Sequence, residues 1–145
     1  SQESLGMSQS FKTMKAGIFS FDFSIKSKSA FGVILQDKKA EASTTHPVMI
    51  TITENRAWIN ADSGTKDRYI MKKKMIPKTK YTATIEFDSK KQTVKLSIYQ
   101  GGKLFGTTSG KVHCKANSDV NLIKFRTMST GIGIFDIQNP VLERQ

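Results

Sequence analysis

The chain has 145 residues, with 23 Lys and Arg against 12 Asp and Glu, a formal net charge of +11. That length suits one domain with one core, and a 37% apolar share with nine Phe can fill it, which argues against global disorder. The single cysteine, Cys114, excludes an internal disulfide framework or a cysteine-rich zinc site, and no segment approaches the roughly 20 apolar residues of a membrane-spanning helix.

The opening SQESLGMSQS is polar and lacks the apolar run of a signal peptide, so residues 1–10 read as a linker or remnant and 11–145 as the module. Strand signals then dominate. In AGIFSFDFSIKS, Phe19, Phe21, Phe23 and Ile25 share one face, and Ser20, Asp22, Ser24 and Lys26 the other. FGVILQ is a continuous apolar run, DKKAEASTTH a polar loop, and PVMITITEN alternates through Val48, Ile50 and Ile52. RAWIN is predicted to pair with it across Glu54 and Asn55. After the turn-rich ADSGTKD comes RYIMKKKMIPKTKY, which carries six cationic residues among strand-like Ile, Met and Tyr.

KYTATIEFD and QTVKLSIYQ follow as a hairpin, with Tyr81, Ala83, Ile85 and Phe87 facing inward opposite Val94, Leu96 and Ile98. GGKLFGTT supplies a turn and a short strand, SGKVHCKANSD a long loop, and VNLIKFRTM and GIGIFDIQNPVLE two closing strands. Nothing sustains helical periodicity over three turns. Nine to eleven short strands at this spacing predict an all-β, antiparallel, jelly-roll-like β-sandwich.

Over residues 80–142, Asp88 closes a strand, Lys90 and Lys91 form a turn, Gly101 and Gly102 another, and Asp136 and Ile137 sit in the last strand. This pattern resembles concanavalin-like and laminin-G-like sandwiches, including many carbohydrate-binding modules, with Tyr81 where a Trp often stands. With the positive charge it is most similar to the lysine-rich modules that bind pectin. The resemblance implies a secreted module, covalently linked to a catalytic domain, that recognises acidic plant cell-wall polysaccharide such as homogalacturonan.

Catalysis is not expected. Glu86 and Asp88 share a strand face, but the Glu-x-Asp-x-x-Glu arrangement of jelly-roll glucanases fails at Lys91, and no second carboxylate pair supplies acid and nucleophile. His46 and His113 fall in or beside loops, and Cys114 next to His113 is a neighbour in sequence, not a dyad. The two His and one Cys have no zinc spacing. Asp62 and Asp67 leave a structural calcium open, since sandwich modules of the resembled kind often hold one.

Alternation gives the binding candidates. With Ala57 and Ile59 inward, Arg56, Trp58 and Asn60 project together, a cation, an indole and an amide suited to a uronate. The opposite phase would put Trp58 in the core. Lys95 and Tyr99 lie opposite Val94, Leu96 and Ile98, and Lys124 and Arg126 opposite Ile123 and Phe125. If those strands share a sheet, the four make one basic, partly aromatic face, edged by Lys72 and Lys74, or by Lys73 in the shifted phase. A nucleic-acid-binding domain and a laminin-G-like adhesion or protein-binding domain stay open as alternatives. Without an amphipathic helix, no membrane partner is expected.

Overall fold

Strict alternation of apolar and polar residues makes a strand with one dry face, and two such sheets bury those faces against each other. In the computed structural model, which describes residues 7–40, 46–61, 68–127 and 135–144, eleven strands do so. They are β1 (Met7–Met14), β2 (Ala16–Ile25), β3 (Ala30–Gln36), β4 (Val48–Thr53), β5 (Ala57–Asn60), β6 (Arg68–Met71), β7 (Tyr81–Asp88), β8 (Thr93–Gln100), β9 (Lys103–Lys111), β10 (Val120–Thr127) and β11 (Phe135–Arg144). One sheet has six strands in the order β1-β10-β3-β4-β5-β6, the other five in the order β11-β2-β7-β8-β9. Neighbours pair antiparallel throughout, the architecture predicted from the sequence.

The registers follow the hydrophobic pattern. β2 and β7 alternate between buried and half-buried along their whole length. β3 is buried at all but its first residue, which is why its sequence reads as an unbroken apolar run. Between the sheets, Phe21 of β2 meets Phe125 of β10 at 5.0 Å edge to face, and Phe23 meets Phe31 of β3 at 5.4 Å. Such pairs add about 0.5–1.5 kcal/mol each beyond their burial. Tyr81, wholly buried, continues the cluster to Phe105 at 5.2 Å, and its hydroxyl oxygen accepts a hydrogen bond from the Ile76 N–H at 2.8 Å.

The turn between β8 and β9 is made by Gly101 and Gly102, both at positive φ, as a two-residue hairpin turn with the twist of its strands requires. Past that turn the register shifts: Tyr99 faces Leu104 but Ile98 faces Gly106, so Phe105 is an extra residue. The bulge leaves Leu104 exposed and Phe105 packed against the core.

Three expectations need correction. Residues 7–10, read as the end of a linker, belong to β1 and pair with β10, Met7 opposite Phe125 and Ser10 opposite Leu122. Their polarity reflects an edge strand whose side chains are mostly exposed. Residues 109–111, read as loop, lie in β9, where small Ser and Gly residues hide the strand signal. β6 ends at Met71, so Lys72 and Lys74 sit on no strand.

That basic stretch instead carries the chain from the six-stranded sheet to the five-stranded one. Met71 and Met75 are buried along it, and its backbone is tied down by Met75 N–H to the Glu54 carbonyl (2.6 Å) and Lys78 N–H to the Ile25 carbonyl (3.0 Å). Lys73 donates from Nζ to the Phe105 carbonyl at 2.8 Å and lies 4.6 Å from the Phe105 ring centre, clamping this crossover to β9. Nearby, Tyr69 reaches from β6 to donate its hydroxyl proton to the Lys111 carbonyl at 2.8 Å, its ring passing over Gly110.

Candidate functional site

The grouped basic face divides in two. β8, with Lys95 and Tyr99, belongs to the five-stranded sheet, whereas β10, with Lys124 and Arg126, belongs to the six-stranded sheet together with Arg56 and Trp58. The two outer faces point in opposite directions. Alternation placed each side chain correctly on its own strand but carries no information about which strands share a sheet. Lys95, moreover, stands opposite Glu86 in the register and lines an open groove of about 450 Å³ with Glu86, Asp88, Lys91 and Lys111.

On the six-stranded sheet the registers align one transverse row: Arg126, Gly32, Thr51, Trp58 and Ile70, from β10 through β3, β4 and β5 to β6. Lys124 lies in the adjoining row, beside Ile34 and Met49. At about 4.8 Å per strand, Arg126 and Trp58 stand roughly 14 Å apart along the row. Its middle is closed, Gly32 and Thr51 both being buried, and its flanks carry the exposed chemistry.

The richer flank is the one around Trp58. Ala57 and Ile59 are fully buried, which turns the indole outward, half-buried, and settles its phase against the core alternative. The turn before it is built by Thr53, whose hydroxyl accepts from the Asn55 and Arg56 N–H groups and donates to the Arg56 carbonyl at 2.9 Å, fixing the backbone at Arg56. The Arg56 guanidinium carbon lies 5.1 Å from the indole centre. A second guanidinium, that of Arg68 on β6, lies 5.0 Å from the same centre. The indole N–H donates to Asn60 Oδ1 at 3.1 Å, which commits the carboxamide oxygen and not its N–H groups.

Both guanidiniums are drawn to the negative π-face of the ring. Their guanidinium carbons lie 5.1 and 5.0 Å from that shared ring centre. Among the described residues neither has a carboxylate partner, and Arg68 Nε is buried without a hydrogen-bond acceptor. An anion that reaches either guanidinium would supply the partner it lacks among the described residues. A guanidinium also occupies the place over the ring where a sugar's C–H face would stack, so carboxylate contact comes before stacking here.

Arg68 was not singled out from the sequence. Tyr69, Ile70 and Met71 are all apolar, which obscures the phase of the strand, although pairing with β5 puts Arg68 opposite Asn60 and on the Trp58 face. At the other flank, burial and the nearby charges of Lys124 and Arg126 push His46 below its ordinary value, so it is neutral at pH 7. Of the crossover lysines, Lys73 is committed to Phe105, Lys74 stands 4.0 Å from Glu54, and Lys72 is exposed. Asp62 and Asp67, at which the sequence left a calcium open, lie outside the described residues, and no group of three His, Cys, Asp or Glu side chains suited to a metal occurs among the described ones.

No protein-family model matches the chain, and no curated protein matches it. Solved structures do. A tetrameric galectin from the ball sponge Cinachyrella sp. aligns with a TM-score of 0.66 at 10% identity, over 96% of this chain and 99% of its own. The carbohydrate binding module CBM66 from Bacillus subtilis aligns with a TM-score of 0.55 at 14% identity, over 91% and 77%. A sialidase aligns with a TM-score of 0.66 at 14% identity over 87% of this chain, which spans only 11% of the sialidase's length. At such identities the likeness is one of fold: this is a jelly-roll β-sandwich of the kind found in lectins.

Proposed function

We propose that the chain is a noncatalytic glycan-binding domain that takes acidic polysaccharide on the outer face of its six-stranded sheet. The observation that carries this reading is the pair of guanidiniums, Arg56 and Arg68, held over Trp58 without an anionic partner among the described residues. A uronate carboxylate reaching Arg68 or Arg56 would accept charge-assisted hydrogen bonds, and Asn60 would donate to a ring hydroxyl. Lys124 and Arg126 would engage a second carboxylate farther along a polymer. The fold supports a glycan as partner, through its likeness to a carbohydrate binding module. Homogalacturonan, with a carboxylate on each sugar, is the specific ligand proposed, the domain being secreted and attached to a catalytic domain.

Calorimetry against homogalacturonan, a neutral glucan, heparin and single-stranded DNA tests this. Binding to the uronate polymer that weakens with salt, and none to the neutral glucan, is the expected result. Binding to DNA with none to any acidic glycan would refute it.

A further inference from the structure

The loops at one end of the sandwich gather a charge that no single stretch of sequence reveals. The connection between β6 and β7 contributes five exposed lysines, the turn between β2 and β3 adds Lys26 and Lys28, and the turn between β8 and β9 adds Lys103. Their proximity is fixed by cross-links between these loops: Lys78 N–H to the Ile25 carbonyl at 3.0 Å, Lys28 N–H to Glu54 Oε1 at 2.8 Å, and Lys73 Nζ to the Phe105 carbonyl at 2.8 Å. Among the described residues two carboxylates answer them, Glu54 beside Lys74 at 4.0 Å and Asp22 beside Lys80 at 3.4 Å. A large positive excess remains.

The same end carries the two most exposed large hydrophobic side chains among the described residues, Ile76 at 59% and Leu104 at 56%. Neither is a loose loop tip. The Ile76 N–H is bonded to the hydroxyl of fully buried Tyr81, and Leu104 is set outward by the bulge that turns Phe105 inward. Rigid backbone thus presents aliphatic groups to water within a field of lysines.

We propose that this end of the sandwich docks on the surface of an anionic phospholipid bilayer, with Ile76 and Leu104 entering the interface and the lysines over the headgroups. The charge complements an anionic leaflet, against which each lysine strengthens binding roughly fivefold. The aliphatic pair favours a bilayer over a soluble polyanion, because nucleic acid stacks on aromatic rings and an acidic glycan gains little from exposed Ile and Leu. An amphipathic helix is the usual device that brings lysines and aliphatics to one surface, and its absence led to the expectation of no membrane partner. Here three separate connections assemble the same combination.

Co-sedimentation with vesicles tests the proposal, using phosphatidylcholine alone and phosphatidylcholine with about one-third phosphatidylserine. The intact protein should sediment with the second and not the first. Lys78→Gln with Lys103→Gln should weaken binding on the order of 25-fold, from two lysines at about fivefold each. Ile76→Ser with Leu104→Ser should weaken it roughly tenfold, with thermal melting unchanged because both side chains are exposed. No sedimentation with the anionic vesicles would overturn the proposal. So would full binding by the Ile76→Ser, Leu104→Ser variant, which would mark the end as a site for any polyanion, or loss of vesicle binding in Arg68→Gln, which would assign it to the Trp58 face instead.

Discussion

The two arginines over Trp58 should not contribute equally to glycan binding. Arg56 is exposed, so an ion pair it makes with a uronate competes with water and is worth about 0–1 kcal/mol, at most roughly a fivefold change in affinity for Arg56→Gln. Arg68 is half-buried, and its Nε is already out of water without an acceptor among the described residues. A ligand carboxylate that reaches this guanidinium supplies a charge-assisted hydrogen bond worth about 1.5–3 kcal/mol, so Arg68→Gln should cost on the order of 10- to 100-fold. Calorimetry with homogalacturonan measures both losses. Trp58 is the sole tryptophan, so its fluorescence reports this site alone and should change on saturation as the guanidiniums move to the ligand. Equal losses in the two variants, or full-affinity binding with unchanged fluorescence, would refute the site.

On the opposite outer face, Lys95→Ala should leave affinity unchanged, whereas Arg126→Ala should weaken binding only to ligands long enough to span the roughly 14 Å from Trp58, a contrast that polymer and single-sugar titrations measure. A Cβ at Gly110 would stand 2.2–2.3 Å from three atoms of the Tyr69 ring, whose hydroxyl is tied to Lys111, so Gly110→Ala should destabilise by about 1–3 kcal/mol in urea titration. Gly106→Ala meets the Met71 thioether at 2.4 Å and should cost less, because that side chain can rotate away. His46 is held below its ordinary value of 6.5 by burial and then by Lys124 and Arg126, so as pH falls through 6.5 the unfolded chain takes up the proton first. Stability should therefore drop with acidification from about pH 6.5 until the lowered native value is passed, and His46→Gln should flatten that part of the urea midpoint profile.

What the sequence disclosed and what it withheld follow from the range of the interactions involved. Alternation is local, so the inward residues of β2, β7 and β8 were readable, because each depends on neighbours one and two positions away, whereas the four-residue β5 was too short to settle the phase of Trp58. Sheet membership is not local. β10 enters the six-stranded sheet between β1 and β3, more than eighty residues distant, and nothing in LIKFRT distinguishes that place from one beside β8. The outward residues of β10 were therefore right, and their grouping with Lys95 and Tyr99 was not.

The stretch RYIMKKKMIPKTKY shows the same limit within fourteen residues. Read as one basic strand, it offered a single question, which lysine faces the ligand. Folded, it serves three separate structures: Arg68 joins Trp58 on the sheet face, Lys73 fastens the crossover to β9, and the remaining lysines with Ile76 form the basic end of the sandwich. The division is imposed by Met71 and Met75, both buried, which anchor the chain as it leaves one sheet for the other. Charge that looks uniform along the sequence is thus distributed by two core residues. It follows that Met75→Ala, which empties a fully buried position and should cost about 2–5 kcal/mol, should loosen the basic end and the Lys73 clamp together while leaving Arg68, on the strand before Met71, over its ring. Amide hydrogen exchange measures this as lost protection at residues 72–80 with protection retained at 57–60, and equal loss in both segments would show that the stretch behaves as one unit after all.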